Sequence, residues 1–445
     1  MTTRSTVVSQ DFPLPMPVSM PLPEKGTGKG KGMEKKCRFL PPLLVILICC
    51  DAFAAAENPP PTFTLILSDG TKASGPLEQI DGHWSVHLGG TKPVQASAMQ
   101  VISLRQDKAT LPSLPKSEQI ILENGDRLPG SVQELSGETL RVRGNIGTES
   151  EFTLPLSAVS FIWVAAPDGV DNPSRWQRRI VLERRSRDRV YLRNGDVIEG
   201  IVNSLAGGYL KVESAKKEVT IPSSKVAVIA FNSELLRPVQ AKGVHGRLVL
   251  KNGARLTLAS GVSDDRTFTG KTVYGGQVSV SLNQVVTLDW LGGCVTYLSD
   301  LKPEKYQFRS YLGGIDWPYI NDGSTAETEI RLGGRVFDKG LGMHTSSRLS
   351  YAIDKNISSF EALVGMDDSV GKEGSARIQV LLDGKPQDLG WDGKLDGPTG
   401  PHFIQVATKG AKELALVTDF GDFGDVQGCV DWAEARLIRK IETRK

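Results

Sequence analysis

Five histidines are the residues of this 445-residue chain best suited to metal binding or acid–base chemistry. His83 and His87 lie four residues apart, a spacing that brings two metal ligands together on a helix. The segment around them alternates like a strand, where the same spacing separates the side chains by about 13 Å. A shared metal ion is therefore not expected, and both are interpreted as surface or packing residues.

Acidic side chains offer the next possibility. Asp367 and Asp368 are neighbours, and on a strand they would point to opposite faces. A glycosidase needs two carboxylates about 5 Å or 6.5–9.5 Å apart across one bond. In a loop these two aspartates would instead suit calcium, together with Asp422 and Asp425. The sequence contains no spacing typical of a Ser-His-Asp, Cys-His or zinc site, so it predicts no independent enzyme.

The N-terminal segment is typical of export. Residues 11–32 are rich in Pro, Gly and Lys and cannot bury a core. A basic start (Lys35, Lys36, Arg38), an apolar run of about 12 residues and small residues up to Ala56 predict a signal peptide, with Met33 as the true start. The alternatives are a membrane anchor, which needs about 20 apolar residues, and a lipid anchor on Cys49 or Cys50. Residues 1–56 are thus excluded from the folded protein, whose predicted location is periplasmic, cell-surface or extracellular.

Charge is nearly balanced over the chain, with 53 basic and 51 acidic residues. Such a balance gives no general attraction to nucleic acid, so no nucleic-acid partner is predicted. Residues 175–193 are an exception, with eight arginines. This stretch is interpreted as a solvated connector, with a patch for an acidic polysaccharide as the alternative.

Four copies of one short pattern occupy residues 57–110, 116–168, 188–236 and 244–292. Each copy has an alternating strand, an Asp-Gly or Asn-Gly turn and a second strand, and it ends in a short apolar strand. The turn glycines are Gly70, Gly125, Gly195 and Gly253. Several short strands in about 50 residues predict a small, strongly bent barrel, which is similar to Sm-like and SH3-like barrels. The copies contain no chemical motif and are interpreted as spacers or protein-contact surfaces.

Residues 293–440 carry a different set of motifs. In order they are YLSDL, GGRVFDKGLGMH, VGMDD, DGK and DWAEARL. Together they resemble the NPCBM family of carbohydrate-binding modules, first described with family 98 glycoside hydrolases. The resemblance implies a galactose-binding-like, jelly-roll antiparallel β-sandwich that binds sugars beside other domains, in a family that includes calcium-binding members. Alternation in SRLSYAI and ARIQVLLDG independently favours strands with one buried face.

The glycine-rich motif at 333–347 is expected to form a loop near the binding face. Its glycines allow positive φ: Gly333, Gly334, Gly340 and Gly342. His344 would either donate a hydrogen bond to a sugar hydroxyl or pin the loop from inside the sandwich. The other predicted sugar contacts are Trp317, in a probable loop, Lys339 and Asp431, whereas Trp432 is expected in the core. This chain has Gly428 and Cys429 where family members often carry an acid and a histidine, so its binding could differ or be lost.

Two cysteines, Cys294 and Cys429, remain after the signal peptide. In an oxidising compartment they would either form a disulfide between the first and last strands of the sandwich or stay as two buried thiols.

The sequence as a whole predicts an all-β, exported, non-catalytic protein that binds a glycan or polysaccharide, requires no cofactor and has calcium as its one candidate ion. The alternatives are an envelope scaffold that contacts other envelope proteins, or an auxiliary subunit of a polysaccharide-degrading system.

Overall fold

The computed structural model describes residues 60–440, except 148–149, 240, 311–312, 314–315, 371–372 and 398. The predicted signal peptide lies outside the described residues and stays a prediction. The described part is nearly all β, as predicted, and has one α-helix, α1 (Pro173–Leu182). Within it, no helix combines the length and apolarity needed to cross a membrane.

Each of the four repeats contains five strands. In the first, β1 to β5 are Thr62–Leu67, Lys72–Ile80, Val86–Leu88, Val94–Ala96 and Val101–Gln106. In the second, β6 to β10 are Gln119–Leu122, Arg127–Ser136, Thr139–Gly144, Ser150–Pro155 and Val159–Trp163. In the third, β11 to β15 are Asp188–Leu192, Val197–Ala206, Tyr209–Ser214, Lys217–Pro222 and Val226–Ala230. In the fourth, β16 to β20 are His245–Leu250, Arg255–Ser263, Thr267–Thr272, Gln277–Ser281 and Val285–Leu291.

The Asp-Gly and Asn-Gly pairs lie at hairpin tips between the first and second strand of each repeat. Gly195, between β11 and β12, has φ 87°, and its amide donates to the Leu192 carbonyl at 3.0 Å. Gly70, Gly125 and Gly253 have φ values of 86°, 84° and 87°. Only glycine adopts this conformation without strain, so the prediction of four hairpin turns is confirmed.

Within each repeat the strands form an antiparallel meander, and the first strand also pairs with the fifth. Strand pairing between different repeats joins them, so the repeats are not separate units. β5 pairs with β20, with Leu104 opposite Leu288, and β10 pairs with β15, with Ile162 opposite Ile229. All twenty strands belong to one sheet, and one hydrophobic core contains buried residues from every repeat. The fifth strand of each repeat thus pairs with the fifth strand of another repeat, and a pattern within one repeat does not show what its edge strand meets. We call residues 60–291 the barrel array.

The arginine-rich stretch is solvated only in part: five of its eight arginines are exposed, but α1 packs on the array and Arg185 is buried. Asn172 caps α1 by accepting from the Arg175 amide at 3.0 Å, and Pro173 occupies the first turn. Buried Ile180 and the ring of Trp176 pack α1 against the array. The guanidinium of Arg185 is buried and donates to the Phe231 carbonyl. The helix is therefore part of the folded core.

The C-terminal residues form a sandwich of two six-stranded antiparallel sheets. The first sheet contains β21 (Val295–Tyr297), β23 (Ile320–Asn321), β26 (Gly340–His344), β28 (Ile357–Met366), β32 (His402–Ala407) and β34 (Cys429–Arg439). The second contains β22 (Lys305–Phe308), β27 (Ser347–Ala352), β29 (Ser375–Leu382), β30 (Lys385–Pro386), β31 (Lys394–Asp396) and β33 (Glu413–Phe420). A separate hairpin joins β24 (Ile330–Leu332) to β25 (Arg335–Phe337). Trp432 is fully buried between the sheets, as expected.

Both cysteines are free thiols. Their strands do pair, but the register places Val295 opposite Ile438, at the far end of β34 from Cys429. Ten residues of strand separate the two ends, about 33 Å, whereas a disulfide needs Cα atoms within about 7 Å. The disulfide alternative is therefore wrong.

Candidate functional site

The glycine-rich stretch 333–347 is mostly strand rather than the expected loop. Gly333 and Gly334 form the tight turn between β24 and β25, with φ of 58° and 76°. The five residues of β26 that follow are all buried. A Cβ on Gly342 would lie 2.4 Å from the Gly323 carbonyl oxygen, so this glycine allows a close backbone approach rather than a turn.

Trp317 and His344 form a stacked pair at one end of the sandwich. Their ring centroids are 4.5 Å apart, with 8° between the planes. Trp317 lies in a loop, as predicted, and is partly exposed, whereas the His344 side chain is buried at the end of β26. The ring of Phe308 packs edge-on against His344 at 6.3 Å. The Trp317 carbonyl accepts a hydrogen bond from the Tyr306 hydroxyl, which holds the loop to β22.

A shallow groove of about 320 Å³ adjoins this aromatic cluster. Phe308 contributes its only aromatic side chain, and neither Trp317 nor His344 lines it. The rest of the lining is mainly polar or charged and comes from three strands and a turn: Gln307, Arg309, Ser346, Ser347, Arg348, Thr418 and Asp419. An aromatic side chain among hydroxyl, amide and guanidinium groups is the chemistry that recognises a sugar ring and its hydroxyls.

Burial determines the state of His344. It lowers the pKa of the imidazole, with only small opposing effects from Thr345 and Asp425. The His344 ring is therefore neutral at pH 7, and it covers one face of the Trp317 ring. Of the two roles open for His344, the structure favours the supporting one, because the side chain is only 4% exposed.

A second stacked pair lies in the same domain. Trp391 and His402 have centroids 4.1 Å apart and 12° between planes. The Trp391 Nε1 and His402 Nε2 atoms are buried without a hydrogen-bond partner among the described residues. Neighbouring Phe403 is 59% exposed on β32. This pair offers a natural control for the first one.

Two of the predicted sugar contacts lie inside the protein. The Lys339 ammonium donates to Asp300 at 2.6 Å and to Asp322 at 2.7 Å, and it is 6% exposed. Asp431 is fully buried on β34, and its carboxyl oxygens have no hydrogen-bond partner among the described residues. Burial, and secondarily the Asp367 carboxyl, raise the pKa of Asp431 well above its usual range. Neither side chain is available to a ligand on the surface, because both are buried.

The four aspartates predicted to hold calcium are not brought together. Asp367 is buried beside Asp431 and accepts from the Ser369 amide, whereas Asp368 accepts from the Gly333 and Gly334 amides at 2.7 Å. Asp422 pairs with Lys394 at 2.8 Å. Over the described residues, no three His, Cys, Asp or Glu side chains are arranged to hold a metal ion. The residues present do not fit the predicted calcium site.

Sequence reasoning missed several residues of this region. Phe308 carries no motif of its own, and its partner His344 is 36 residues away along the chain. The stack of Trp391 on His402 could not be predicted either, because it joins a loop to a strand 11 residues later. The one available signal was composition: aromatic residues in glycine-rich loops are seldom core residues.

Comparison with known proteins identifies the sandwich. The family model described as the NPCBM/NEW2 domain matches residues 295–438. A protein of Renibacterium salmoninarum, named as an endo-alpha-N-acetylgalactosaminidase, is 31% identical over 109 residues. That match covers 24% of this chain and only 7% of the relative's length.

Solved structures with a similar fold include two CBM51 modules of Clostridium perfringens. The CBM51 of GH95, in complex with methyl-galactose, is 24% identical, with TM-score 0.29, over 32% of this chain and 99% of that one. The CBM51-2 and INT domains of ZmpB, in complex with GlcNAc, are 23% identical, with TM-score 0.30, over 40% and 37% of the two chains. On the match to the family model, residues 295–438 of this chain form an NPCBM/NEW2 domain.

Proposed function

We propose that this chain is an exported, non-catalytic protein that binds a glycan through its NPCBM domain, with the barrel array as its carrier. The partly exposed Trp317, stacked on buried His344 beside a polar groove, is the observation that carries the proposal. Export rests on the basic, apolar and small-residue pattern at residues 33–56. The absence of catalysis rests on the role of the acids in the domain, since Asp367 and Asp431 are buried, Asp368 accepts from turn amides and Asp422 pairs with a lysine.

In this proposal the rings of His344 and Trp317 have different roles. His344 covers one face of the Trp317 indole and fixes its orientation, which leaves the other face for the apolar side of a sugar ring. Hydroxyl groups of the same glycan reach the adjacent groove, where Arg348, Ser346 and Asp419 offer donors and acceptors. A rigid aromatic platform lowers the entropy cost of binding, because the side chain is already ordered.

The alternative is a scaffold whose NPCBM domain no longer binds sugar and whose array contacts other envelope proteins. The burial of His344, Lys339 and Asp431 favours this alternative, since three of the four predicted contacts do not reach the surface. An auxiliary role in a polysaccharide-degrading assembly is compatible with the glycan-binding proposal. It differs only in what the barrel array contacts.

Titration of the protein with methyl-galactoside, N-acetylgalactosamine and N-acetylglucosamine tests the proposal. We expect saturable binding of at least one sugar, and a loss of about fivefold or more in affinity for Trp317→Ala, because ring stacking contributes roughly 1 kcal/mol beyond area burial. Trp391→Ala removes an equivalent tryptophan–histidine stack and should leave the affinity within twofold. Circular dichroism checks that both variants are folded. Equal loss in both variants, or no saturable binding of any sugar or of a glycan array, would support the scaffold instead.

A further inference from the structure

A large cavity in the described part of the protein lies between the barrel array, α1 and the NPCBM domain. Its volume is about 460 Å³, within the range of roughly 300–1,000 Å³ that small-ligand pockets occupy. It shares no lining residue with the groove beside Phe308. Its walls are rich in arginine, and five guanidinium groups line it: Arg127, Arg178, Arg185, Arg247 and Arg255.

Three of the four acids that line the cavity are already engaged. Asp338 pairs with Arg255 at 3.1 Å and with Arg247 at 3.8 Å. Asp322 pairs with Lys339, outside the lining. Glu329 pairs with Arg331 and also accepts from the Leu114 amide. The remaining acid, Glu123, is exposed. These pairings leave part of the arginine charge without an internal counter-ion.

Arg127 and Arg178 differ from the other three arginines of the lining. Across the residues that the structure describes, neither forms an ion pair with a carboxylate. Arg127 donates to the side-chain oxygens of Gln119 and Gln177, both buried, which hold it in place without neutralising it. Arg178 donates to the backbone carbonyls of Asn321 and Asp322, and its Nε atom is buried with no partner.

Two positive charges held close together in a partly enclosed space repel each other and attract an anion. Burial, followed by the nearby Arg255, lowers the pKa of Arg127 to about 10; Glu329 and Asp338 oppose the shift, and Arg178 adds to it. Both guanidinium groups still carry their charge at pH 7. Planar guanidinium groups bind carboxylate, sulfate and phosphate oxygens in a bidentate geometry.

We propose that this cavity binds a small ligand bearing a carboxylate, sulfate or phosphate group, which Arg127 and Arg178 hold between the array and the NPCBM domain. The anion supplies the missing counter-charge at a boundary where the two regions meet. Binding there also links them, because Arg127 belongs to β7 and Arg178 donates to the NPCBM segment at residues 321–322.

Titration calorimetry of the full chain tests this site, with inorganic sulfate, inorganic phosphate and glucuronate as probes. Ionic strength is held constant with chloride, and glucose is the neutral counterpart of glucuronate. We expect saturable binding of at least one anion and none of glucose in this cavity. A response to glucuronate alone identifies a carboxylated ligand, whereas a response to sulfate or phosphate alone identifies a tetrahedral anion. Binding of none of the three probes overturns the proposal.

A variant that introduces an internal anion locates the site. Ser174 lines the cavity in the first turn of α1, where a negative charge favours the helix, so Ser174→Asp should remain folded. We expect it to weaken anion binding by tenfold or more, and Arg127→Gln to do the same. Ser186→Asp makes the same charge change at an exposed position outside the lining and should alter binding less than twofold.

Equal effects of Ser174→Asp and Ser186→Asp, or no effect of Ser174→Asp, would show that the anion binds elsewhere and would overturn the assignment. Trp317→Ala should leave anion binding unchanged. This variant separates the two proposals, because the sugar site and the anion site fail independently.

Discussion

The barrel array and the NPCBM domain are both antiparallel β structures, but they place their tryptophans differently. In the array, Trp84, Trp163 and Trp290 are at most 5% exposed, and Trp176 packs α1 onto its surface. In the NPCBM domain only Trp432 is a core residue, whereas Trp317 and Trp391 lie in loops and stack on histidines. Aromatic area in the array therefore stabilises the fold, and in the NPCBM domain part of it remains available for binding.

The two regions also differ in how they use charge. Within the array, pairs such as Arg141 and Glu134 lie on the surface, where they contribute little. At the boundary with the NPCBM domain the pairs are shielded from water, as for Arg255 with Asp338 and Arg105 with Glu434. Removing one partner of such a shielded ion pair is strongly destabilising, because the other charge is then left buried without a counter-charge.

The largest expected effect comes from breaking the boundary between the two regions. Asp338→Ala leaves the Arg255 guanidinium, 1% exposed, without its carboxylate partner. We expect the free energy of unfolding to fall by about 3–5 kcal/mol, as for other broken buried pairs. Urea unfolding followed by tryptophan fluorescence measures it. Glu134→Ala, which removes a surface pair, is the control and should cost less than about 1 kcal/mol. Similar costs for the two variants would mean that the boundary is not a stability determinant.

A smaller, pH-dependent effect is expected at the same boundary from Asp289 on β20. Burial raises the pKa of Asp289 to about 6, although Arg105 opposes the shift. In the unfolded chain this pKa is about 3.9, so the folded state holds the proton more tightly and stability falls as pH rises from about 4 to 6. The loss amounts to at most about 3 kcal/mol.

Urea unfolding at pH 4, 5, 6 and 7 checks this prediction. The difference in unfolding free energy between the wild-type chain and Asp289→Asn should change across the window, with the variant gaining relative stability as pH rises. Asp265→Asn, at an exposed turn, supplies the control. A wild-type minus Asp289→Asn difference that is flat with pH would show that Asp289 titrates normally.

The smallest effect concerns the array alone. Gly195→Val places a β-branched residue at φ 87°, where no neighbouring atom lies closer than 4.0 Å to the new Cβ. The cost is therefore backbone strain rather than a clash, about 1 kcal/mol or more. Gly82→Val, in a turn without positive φ and with open space around it, should change stability by less than about 0.5 kcal/mol. Thermal unfolding compares the two, and equal melting temperatures would contradict the strain argument.

Local chemistry made one part of this protein predictable. The Asp-Gly and Asn-Gly turns fix four hairpins, because positive φ depends on the residue itself and its neighbours. The motifs from YLSDL to DWAEARL likewise identified the NPCBM domain, and the position of Trp317 in a loop followed from its sequence surroundings. The stack of Trp317 on His344 did not follow, since 27 residues separate them and a strand register brings them together.

Long-range register accounts for the predictions that were wrong. Cys294 and Cys429 lie on paired strands, yet at opposite ends, because β21 pairs with the last residues of β34. Lys339 looked like a loop residue beside glycines, but Asp300 and Asp322 converge on it from distant segments. The arginines of residues 175–193 were expected in a solvated connector, and Arg175 and Arg179 are exposed, but nothing near them in the chain shows that both pair with Glu327.

By itself, then, the sequence determined the β class, the hairpin turns and the identity of the C-terminal domain, all of which depend on neighbouring residues and short motifs. Tertiary structure alone decided which charged groups are buried, how the four repeats share one sheet, and where arginines gather without counter-ions. These features arise from contacts between segments tens to hundreds of residues apart, and their energies depend on exclusion of water, which the order of residues does not display.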